Sequence, residues 1–198
     1  RDVLGSRGLG DVYKRQGQAG GQAVAEVLFG DYNPAGKLPL TFYRNLAQIP
    51  DFEDYNMTGR TYRYMKETPL FPFGHGLSYT TFKYGKLKMN DDKIAAGQNL
   101  NLVIPVTNTG SRDGDEVVQV YLKKKDDTEG PVKTLRAFKR VRIPAGKTVE
   151  VKFSLDDTQL EWWDEQSNTM RVCPGNYTVM IGGTSCEKSL LSRAFTIR

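Results

Sequence analysis

Two glycines surround the only histidine in the stretch Phe71-Pro-Phe-Gly-His-Gly-Leu-Ser-Tyr-Thr-Thr-Phe82. Because proline fixes φ and glycine allows positive φ, this string interrupts regular structure and predicts a tightly turned connector. A helical pattern and loops precede it, whereas short alternating segments follow it to the end of the chain. We therefore place a connector at 71–82, between one part at 17–70 and a second domain at 83–198.

The residues after the connector alternate between apolar and polar side chains, as strands with one buried face do. The clearest alternation is at 100–106, and it ends at the turn residues Asn108-Thr-Gly110. Similar segments, separated by turn residues, lie at 118–122, 135–143, 149–155, 177–181 and 194–197. This pattern predicts an antiparallel β-sandwich.

Two aromatic features of this domain have structural interpretations. Tyr177 follows Pro174-Gly175 on the penultimate strand, which favours a tyrosine corner with the ring in the core and the hydroxyl on the backbone. Trp162-Trp163 offers a stacking platform for a sugar. Adjacent strand residues face opposite sides, however, and this favours one indole that closes an end of the sandwich.

The part before the connector begins with an amphipathic pattern. Ala19, Ala23 and Val27 recur every four residues, which predicts a helix over about 19–29, ended by a left-handed Gly30. Leu38-Pro-Leu-Thr-Phe42 predicts a short edge strand, because proline cannot donate to a central ladder.

Residues 43–70 have no regular period, and a long irregular segment in a compact domain is often functional. Within it, Arg60-Thr-Tyr-Arg-Tyr64 is prone to β structure and places aromatic rings beside guanidinium groups. Together these groups offer a sugar a flat apolar face and directional donors. The alternative, which we weight more heavily, is that the rings only pack the loop onto its domain.

Motifs for other chemistries are absent from the sequence. It contains neither a phosphate-binding glycine loop nor a GxSxG nucleophile elbow. His75 lies between two glycines with no partner at metal-ligand spacing, so we interpret it as structural. Cys173 and Cys186 flank a predicted strand and lie too far apart for a disulfide, so we expect free thiols.

Clustered carboxylates invite comparison with glycoside hydrolysis, which needs two carboxyl groups at a set separation. Asp51, Glu53 and Asp54 lie in the irregular segment, but nothing assigns them a role. Asp113-Gly-Asp-Glu116 begins a predicted strand, and we interpret it as a turn and a solubilising edge. We therefore name no catalytic residue and expect no metal and no cofactor.

Charge and hydropathy argue against two classes of partner. The net charge of +5 comes from basic residues scattered among acids, as in Lys123-Lys-Lys-Asp-Asp127, so we expect no nucleic acid. No apolar run approaches the roughly 18 residues that a membrane span needs. Residues 1–16 show no period and join poorly to the helical pattern after them, and we interpret them as a non-native leader.

Three sets of residues carry a resemblance to a known family. The segment from Gly17-Gln-Ala-Gly-Gly-Gln-Ala to Lys37-Leu-Pro-Leu-Thr-Phe42 is similar to the end of the second, α/β sandwich domain of glycoside hydrolase family 3. The stretch from Leu70 through the connector resembles that family's link into a fibronectin type III-like domain. The runs at 114–122, 135–141 and 174–179 match that domain in order.

The resemblance, which covers about 17–198, implies the architecture of the whole chain. It is mainly β: an antiparallel immunoglobulin- or fibronectin type III-like β-sandwich, preceded at 17–70 by the C-terminal remnant of the α/β sandwich domain. It also implies a retaining, exo-acting β-glycosidase, either a β-glucosidase or a β-xylosidase, that removes terminal sugars from plant-type oligosaccharides.

The family's catalytic groups have no counterpart in this sequence. In the family the nucleophile lies on an N-terminal barrel and the acid/base earlier in the α/β domain, so no catalytic residue maps onto this chain. We expect it to be inactive alone and to pack on and stabilise those domains. The parent enzyme is expected to be periplasmic or secreted, with any signal upstream.

The run Gly59-Arg-Thr-Tyr-Arg-Tyr64 is similar to one found in family β-xylosidases, α-L-arabinofuranosidases and some β-glucosidases. From this resemblance we hypothesise that Arg60, Tyr62 and Arg63 line or buttress the substrate-binding mouth of the parent enzyme.

The competing interpretation is a non-catalytic carbohydrate-binding or adhesion module, since sandwiches of this kind host many functions. The segment at 17–42 argues against it. A free-standing module has no reason to carry part of an α/β domain, whose apolar face would be exposed.

Overall fold

The computed structural model describes residues 18–198, and residues 1–17, which contain the predicted leader, lie outside the described residues. Two helices, a 3-10 turn and long loops precede a sandwich of two sheets. The helices are α1 (Gly20–Phe29), α2 (Thr61–Tyr64) and α3 (Asp157–Leu160), with 3-10 turns at Leu46–Gln48 and Glu187–Ser189. The strands are β1 (Phe82–Tyr84), β2 (Lys88–Met89), β3 (Lys93–Ile94), β4 (Leu100–Asn108), β5 (Gly114–Lys124), β6 (Thr134–Ile143), β7 (Thr148–Leu155), β8 (Trp162–Asp164), β9 (Thr169–Arg171), β10 (Gly175–Gly182) and β11 (Leu191–Ile197).

The two sheets have antiparallel pairing almost throughout. In one sheet β4 pairs with β1, β2 and β7, and in the other the order is β3-β11-β10-β5-β6. Strands β8 and β9 form a separate hairpin. Only the short pair β3–β11 is parallel among the described strands. The predicted antiparallel β-sandwich is confirmed.

The core lies between the two sheets and follows the predicted alternation. Every second residue of β4, from Leu100 to Val106, is fully buried, and Val118, Val120 and Leu122 of β5 belong to the same apolar cluster. Burying one such side chain stabilises the folded state by about 1.5–3 kcal/mol. The period-two pattern therefore provides the main stabilisation of this domain.

The aromatic predictions for the sandwich are also confirmed. The buried Tyr177 hydroxyl donates to the carbonyl of Cys173 (2.7 Å), as a tyrosine corner does. Trp162 is 4% exposed and belongs to the core, whereas the neighbouring Trp163 is 49% exposed. Cys173 and Cys186 are free thiols.

The segment before the sandwich confirms one prediction and corrects another. Helix α1 ends at Gly30, which has φ 81° and donates its N–H to the carbonyl of Val27. The predicted edge strand at 38–42 does not form; Phe42 makes only an isolated bridge with Phe71. Pro39 and Pro72 remove backbone donors on both sides, and this limits the pairing to a few bonds.

Residues 60–64 also depart from the β structure that their composition suggests. Residues 61–64 form helix α2, in which the N–H groups of Tyr64 and of the following Met65 donate to the carbonyls of Arg60 and Thr61. Gly59 with φ 74° and Thr61 with φ 56° turn the chain tightly at the helix start. Local hydrogen bonds and tertiary packing therefore override the intrinsic β preference of this sequence.

Candidate functional site

The connector lies between the segment at 38–42 and the sandwich and is hydrogen-bonded to both. Its Gly74 N–H donates to the carbonyl of Leu38 (2.8 Å), and the Leu38 N–H donates to the carbonyl of His75 (2.8 Å). On the other side, the Ser185 N–H donates to the carbonyl of Phe73 (2.9 Å). Backbone hydrogen bonds of the connector thus link the segment at 38–42 to the sandwich.

The glycines of the connector are required by close approach. A Cβ atom on Gly76 would lie 2.4 Å from the carbonyl oxygen of Gly36, and one on Gly74 would lie 2.6 Å from the Gln119 side chain. Gly74 also has φ 81°, which favours glycine. The Gly-His-Gly sequence therefore allows two backbone segments and a strand to meet.

Strand β5 buries both of its faces where the connector covers it. Gln119 and Tyr121 lie on the face away from the core alternation, yet both are buried. The Gln119 Nε2 donates to the carbonyl of Gly183 (2.9 Å), and the Tyr121 hydroxyl donates to Gln119 Oε1. Burial raises the pKa of the Tyr121 phenol well above its ordinary value. The outer face of β5 is thus an internal interface.

Tyr62 connects helix α2 to this interface. Its ring centroid lies 4.5 Å from that of Phe73 and 5.8 Å from that of Tyr121. Its hydroxyl accepts a hydrogen bond from the Leu135 N–H (3.2 Å), next to a bulge in the β5–β6 pairing after Val120. These contacts hold the loop against the sandwich.

Arg60 organises the loop that precedes it. Its Nε donates to the carbonyl of Asn56 (3.0 Å), and its Nη2 donates to the carbonyls of Asp51 and Asp54. Residues 51–56 form no helix or strand, and hydrogen bonds from the Arg60 guanidinium hold this loop together. The contacts of Arg60 and Tyr62 are those expected if these residues only pack the loop onto its domain.

Arg63 differs from its two neighbours. Its carbonyl accepts from the Val132 N–H (2.6 Å), but its guanidinium lies over the Tyr64 ring, with 5.5 Å between the guanidinium carbon and the ring centroid. Its Nε is buried with no hydrogen-bond partner among the described residues. The structure brings Tyr62 and Arg63 onto the sandwich, while the substrate-binding role of Arg60, Tyr62 and Arg63 stays a prediction.

Glu116 corrects the interpretation of Asp113-Gly-Asp-Glu116 as a solubilising edge. Its side chain is buried, lies 3.5 Å from Lys37 Nζ and accepts from the Tyr84 hydroxyl (3.0 Å). Burial, opposed by Lys37 and by the Tyr84 hydrogen bond, raises the pKa of Glu116 above its ordinary value of 4.5. The sequence pattern did not reveal this ion pair because Lys37 and Glu116 are 79 residues apart in the chain.

The carboxylates of the irregular segment serve its turns. Asp51 Oδ1 accepts from the Glu53 N–H, and Asp54 accepts from both the backbone and the side-chain amide of Asn56. These hydrogen bonds lower the pKa of Asp54. Asp51 and Asp54 therefore stabilise turns of their own segment.

Three further findings concern metal ligands, the histidine and membrane-spanning helices. Within residues 18–198, no group of three or more His, Cys, Asp or Glu side chains could hold a metal ion. The His75 ring packs on Phe71, with 4.8 Å between centroids. No helix in that part of the chain combines the length and apolar character needed to cross a membrane.

Family models match both parts of the chain. Residues 13–79 match the glycosyl hydrolase family 3 C-terminal domain, and residues 116–185 match the fibronectin type III-like domain. The two matches occur in the order that the sequence predicts, and they lie on either side of β4.

Relatives with curated names are glycoside hydrolases. The chain is 51% identical over 181 residues to a xylan 1,4-beta-xylosidase from Xylanibacter ruminicola, covering 91% of this chain and 21% of that protein. It is 38% identical to a periplasmic beta-glucosidase from Salmonella typhimurium, covering 86% of this chain and 24% of that protein. The chain thus spans about a fifth to a quarter of their length.

Solved structures agree in fold. A family 3 beta-glucosidase from Bifidobacterium adolescentis superposes with a TM-score of 0.77 at 32% identity, covering 91% of this chain and 28% of that one. A beta-glucosidase from Listeria innocua, solved with isofagomine, superposes with a TM-score of 0.73 at 27% identity, covering 89% of this chain and 26% of that one.

Proposed function

We propose that this chain, which carries the C-terminal region of glycoside hydrolase family 3, is the supporting part of a retaining, exo-acting β-glycosidase. The parent enzyme would be a β-xylosidase or β-glucosidase that releases terminal sugars from plant-type oligosaccharides. The 51% identity to a named xylosidase favours β-xylosides. In this proposal the chain contributes packing rather than catalytic groups and has no hydrolase activity alone.

The observation that carries the proposal is a set of exposed apolar side chains concentrated in the residues before the sandwich. Phe29, Leu46 and Phe52 are 84%, 83% and 91% exposed, and they belong to a larger set of exposed apolar side chains between 24 and 79. A protein rarely leaves a surface of this kind in water. We infer that the remaining α/β domain and the barrel of the parent enzyme cover it.

This surface also separates the proposal from its competitor. A free-standing carbohydrate-binding or adhesion module would leave the same apolar residues in water, whereas a domain of a larger enzyme buries them. The relative named as periplasmic supports export of the parent enzyme to the periplasm or the medium.

A chimera tests the proposal. Residues 18–198 of this chain would replace the matching segment of the Xylanibacter ruminicola xylosidase. The chimera is expected to hydrolyse p-nitrophenyl β-xyloside, and the purified chain is expected to hydrolyse none. Turnover by the chain alone, free of contaminating enzyme, would overturn the proposal.

Two matched variants test whether the exposed apolar side chains before the sandwich are needed for packing in the chimera. Phe29→Asp combined with Phe52→Asp places two charges on the apolar surface and is expected to abolish folding or activity of the chimera. Phe138→Asp, at a residue that is 66% exposed on β6, is the control and is expected to retain activity. Equal activity of the two variants would contradict the packing role.

A further inference from the structure

A cleft of about 690 Å³ lies at one end of the sandwich. Its walls are the β8–β9 hairpin, the loop between β5 and β6, and the end of helix α2. Pockets of 300–1,000 Å³ are the usual size for small-molecule ligands. Arg63 is the one residue of the predicted site that lines this cleft.

Aromatic rings line the cleft on two sides. Trp163 is the half-exposed member of the tryptophan pair, and its partner Trp162 is anchored in the core. Across the cleft lies Tyr64, with the guanidinium of Arg63 over its ring. A large ring held by a rigid hairpin offers a flat apolar surface, as the C–H face of a pyranose requires.

The loops around the cleft are held by internal hydrogen bonds. Asp127 accepts from the Trp162 Nε1 (2.6 Å) and from the Gly130 N–H (2.6 Å). In the hairpin, Asp164 accepts from the Arg171 Nε (2.7 Å). Because the chain itself supplies both partners of each bond, binding would cost little ordering of the loops.

Unused hydrogen-bonding capacity is concentrated here. Among the described residues four buried side-chain atoms have no partner, and three of them belong to residues that line this cleft: Arg63 Nε, Thr134 Oγ1 and Arg136 Nε. Arg136 is held in place by a bond from its Nη2 to the carbonyl of Glu161 (2.6 Å) and by the Trp162 ring beneath it. Buried polar groups of native proteins are normally satisfied, so the cleft wall is unusual in its incomplete internal pairing. Arg63 and Arg136 are only partly buried as residues, and a ligand would be met by their guanidinium groups rather than by these buried atoms.

The charges of the lining favour a neutral polyhydroxylated ligand. Three basic residues line the cleft, and they are outnumbered by five acidic ones: Asp126, Asp127, Glu129, Asp164 and Glu165. The excess of carboxylates would repel an anion, and the guanidinium groups of Arg63 and Arg136 would weaken the attraction for a cation. Sugar hydroxyls both donate to carboxylates and accept from guanidinium groups, so they suit a lining of mixed charge.

We propose that this cleft binds a neutral oligosaccharide, with Trp163 as the stacking platform and Arg63 and Arg136 as hydrogen-bond donors. The choice of a saccharide rests in part on the proposed function. A titration measures binding rather than hydrolysis, so its failure is distinguishable from failure of the chimera.

Titration with xylohexaose and cellohexaose tests this proposal on the whole chain. The chain has two tryptophans, so intrinsic fluorescence reports on the cleft, and calorimetry supplies an independent affinity. We expect saturable binding of at least one of the two sugars. Trp163→Ala is expected to weaken it roughly tenfold or more, as truncation of a central tryptophan does.

Two variants separate stacking from folding. Trp163→Phe keeps a flat ring and is expected to retain affinity within about threefold. Phe138→Ala removes an exposed ring outside the cleft and is expected to bind as the unmodified chain does. Circular dichroism on each variant checks the fold.

Three outcomes would overturn the proposal. They are the absence of saturable binding of either sugar, unchanged affinity in a folded Trp163→Ala variant, and binding of hexagalacturonate, an anionic sugar chain, in preference to both neutral ones.

Discussion

Gly74 lies so close to Gln119 that a Cβ atom on residue 74 would stand 2.6 Å from both polar atoms of the Gln119 amide. That amide is buried, donates to the carbonyl of Gly183 and accepts from the Tyr121 hydroxyl. A side chain at residue 74 would therefore displace the Gln119 amide and break the polar network on the outer face of β5.

Gly74→Ala is expected to lower the free energy of unfolding by about 2–4 kcal/mol, because it combines a positive φ with displacement of a buried amide. Urea unfolding followed by circular dichroism measures the loss. Gly97→Ala is the matched control: Gly97 has φ 83° with open space around it, so its cost is about 1 kcal/mol. Equal losses would mean that backbone strain alone explains the glycine.

The buried Glu116 gives the stability of the chain a pH dependence. Because burial raises its pKa above 4.5, the folded chain holds the proton more tightly than the unfolded chain. This contribution is fully present below pH 4.5 and is lost as the pH rises through the folded pKa. Each unit of pKa shift corresponds to about 1.4 kcal/mol.

Glu116→Gln removes this titration but keeps the shape of the side chain. Between pH 4.5 and pH 7 the melting temperature of the unmodified chain is expected to fall relative to that of the variant. Melting curves at half-unit pH steps measure the difference. Parallel pH profiles of the two proteins would show that Lys37 and Tyr84 offset the cost of burying the charge.

The sequence predicts features that neighbouring residues determine better than features that depend on contacts with distant residues. The alternation of β4 and the corner at Tyr177 follow from neighbouring residues, and both are confirmed. Helix α2 depends on a turn at Gly59 and on packing of Tyr62 against Tyr121. Local β propensity carries no signal of that contact, and the prediction for this segment was wrong.

The site residues show the same limit. The spacing of Arg60 and Arg63 suggests a common role, but Arg60 precedes helix α2 in an extended conformation and Thr61, with φ 56°, turns the chain between them. Arg60 bonds to carbonyls of its own loop, and Arg63 lines the cleft beside Trp163. The burial of Glu116 required a lysine from the other part of the chain. Contacts between residues far apart in sequence can be identified only in the three-dimensional structure.

Tyr177→Phe tests the tyrosine corner. The substitution keeps the ring, which stacks on Phe195 at 5.4 Å, but removes the donor to the buried Cys173 carbonyl. We expect the free energy of unfolding to fall by about 1–2 kcal/mol. Tyr55→Phe, at an 88% exposed ring, is the control and should change it by less than about 0.5 kcal/mol. A loss no larger than that of the control would contradict the role of the hydroxyl.

Arg60→Ala in the active chimera tests whether the loop at 51–56 serves the substrate-binding mouth. The substitution frees three backbone carbonyls that the guanidinium holds, so the loop loses its organisation. If the loop borders the mouth, kcat/KM for p-nitrophenyl β-xyloside is expected to fall roughly tenfold, about 1.4 kcal/mol of transition-state stabilisation. The melting temperature of the chain alone should change little in the same variant, because the loop is largely exposed there. Arg193→Ala, at an exposed arginine on β11, controls for loss of charge. Unchanged kcat and KM in Arg60→Ala would leave the loop with a packing role alone.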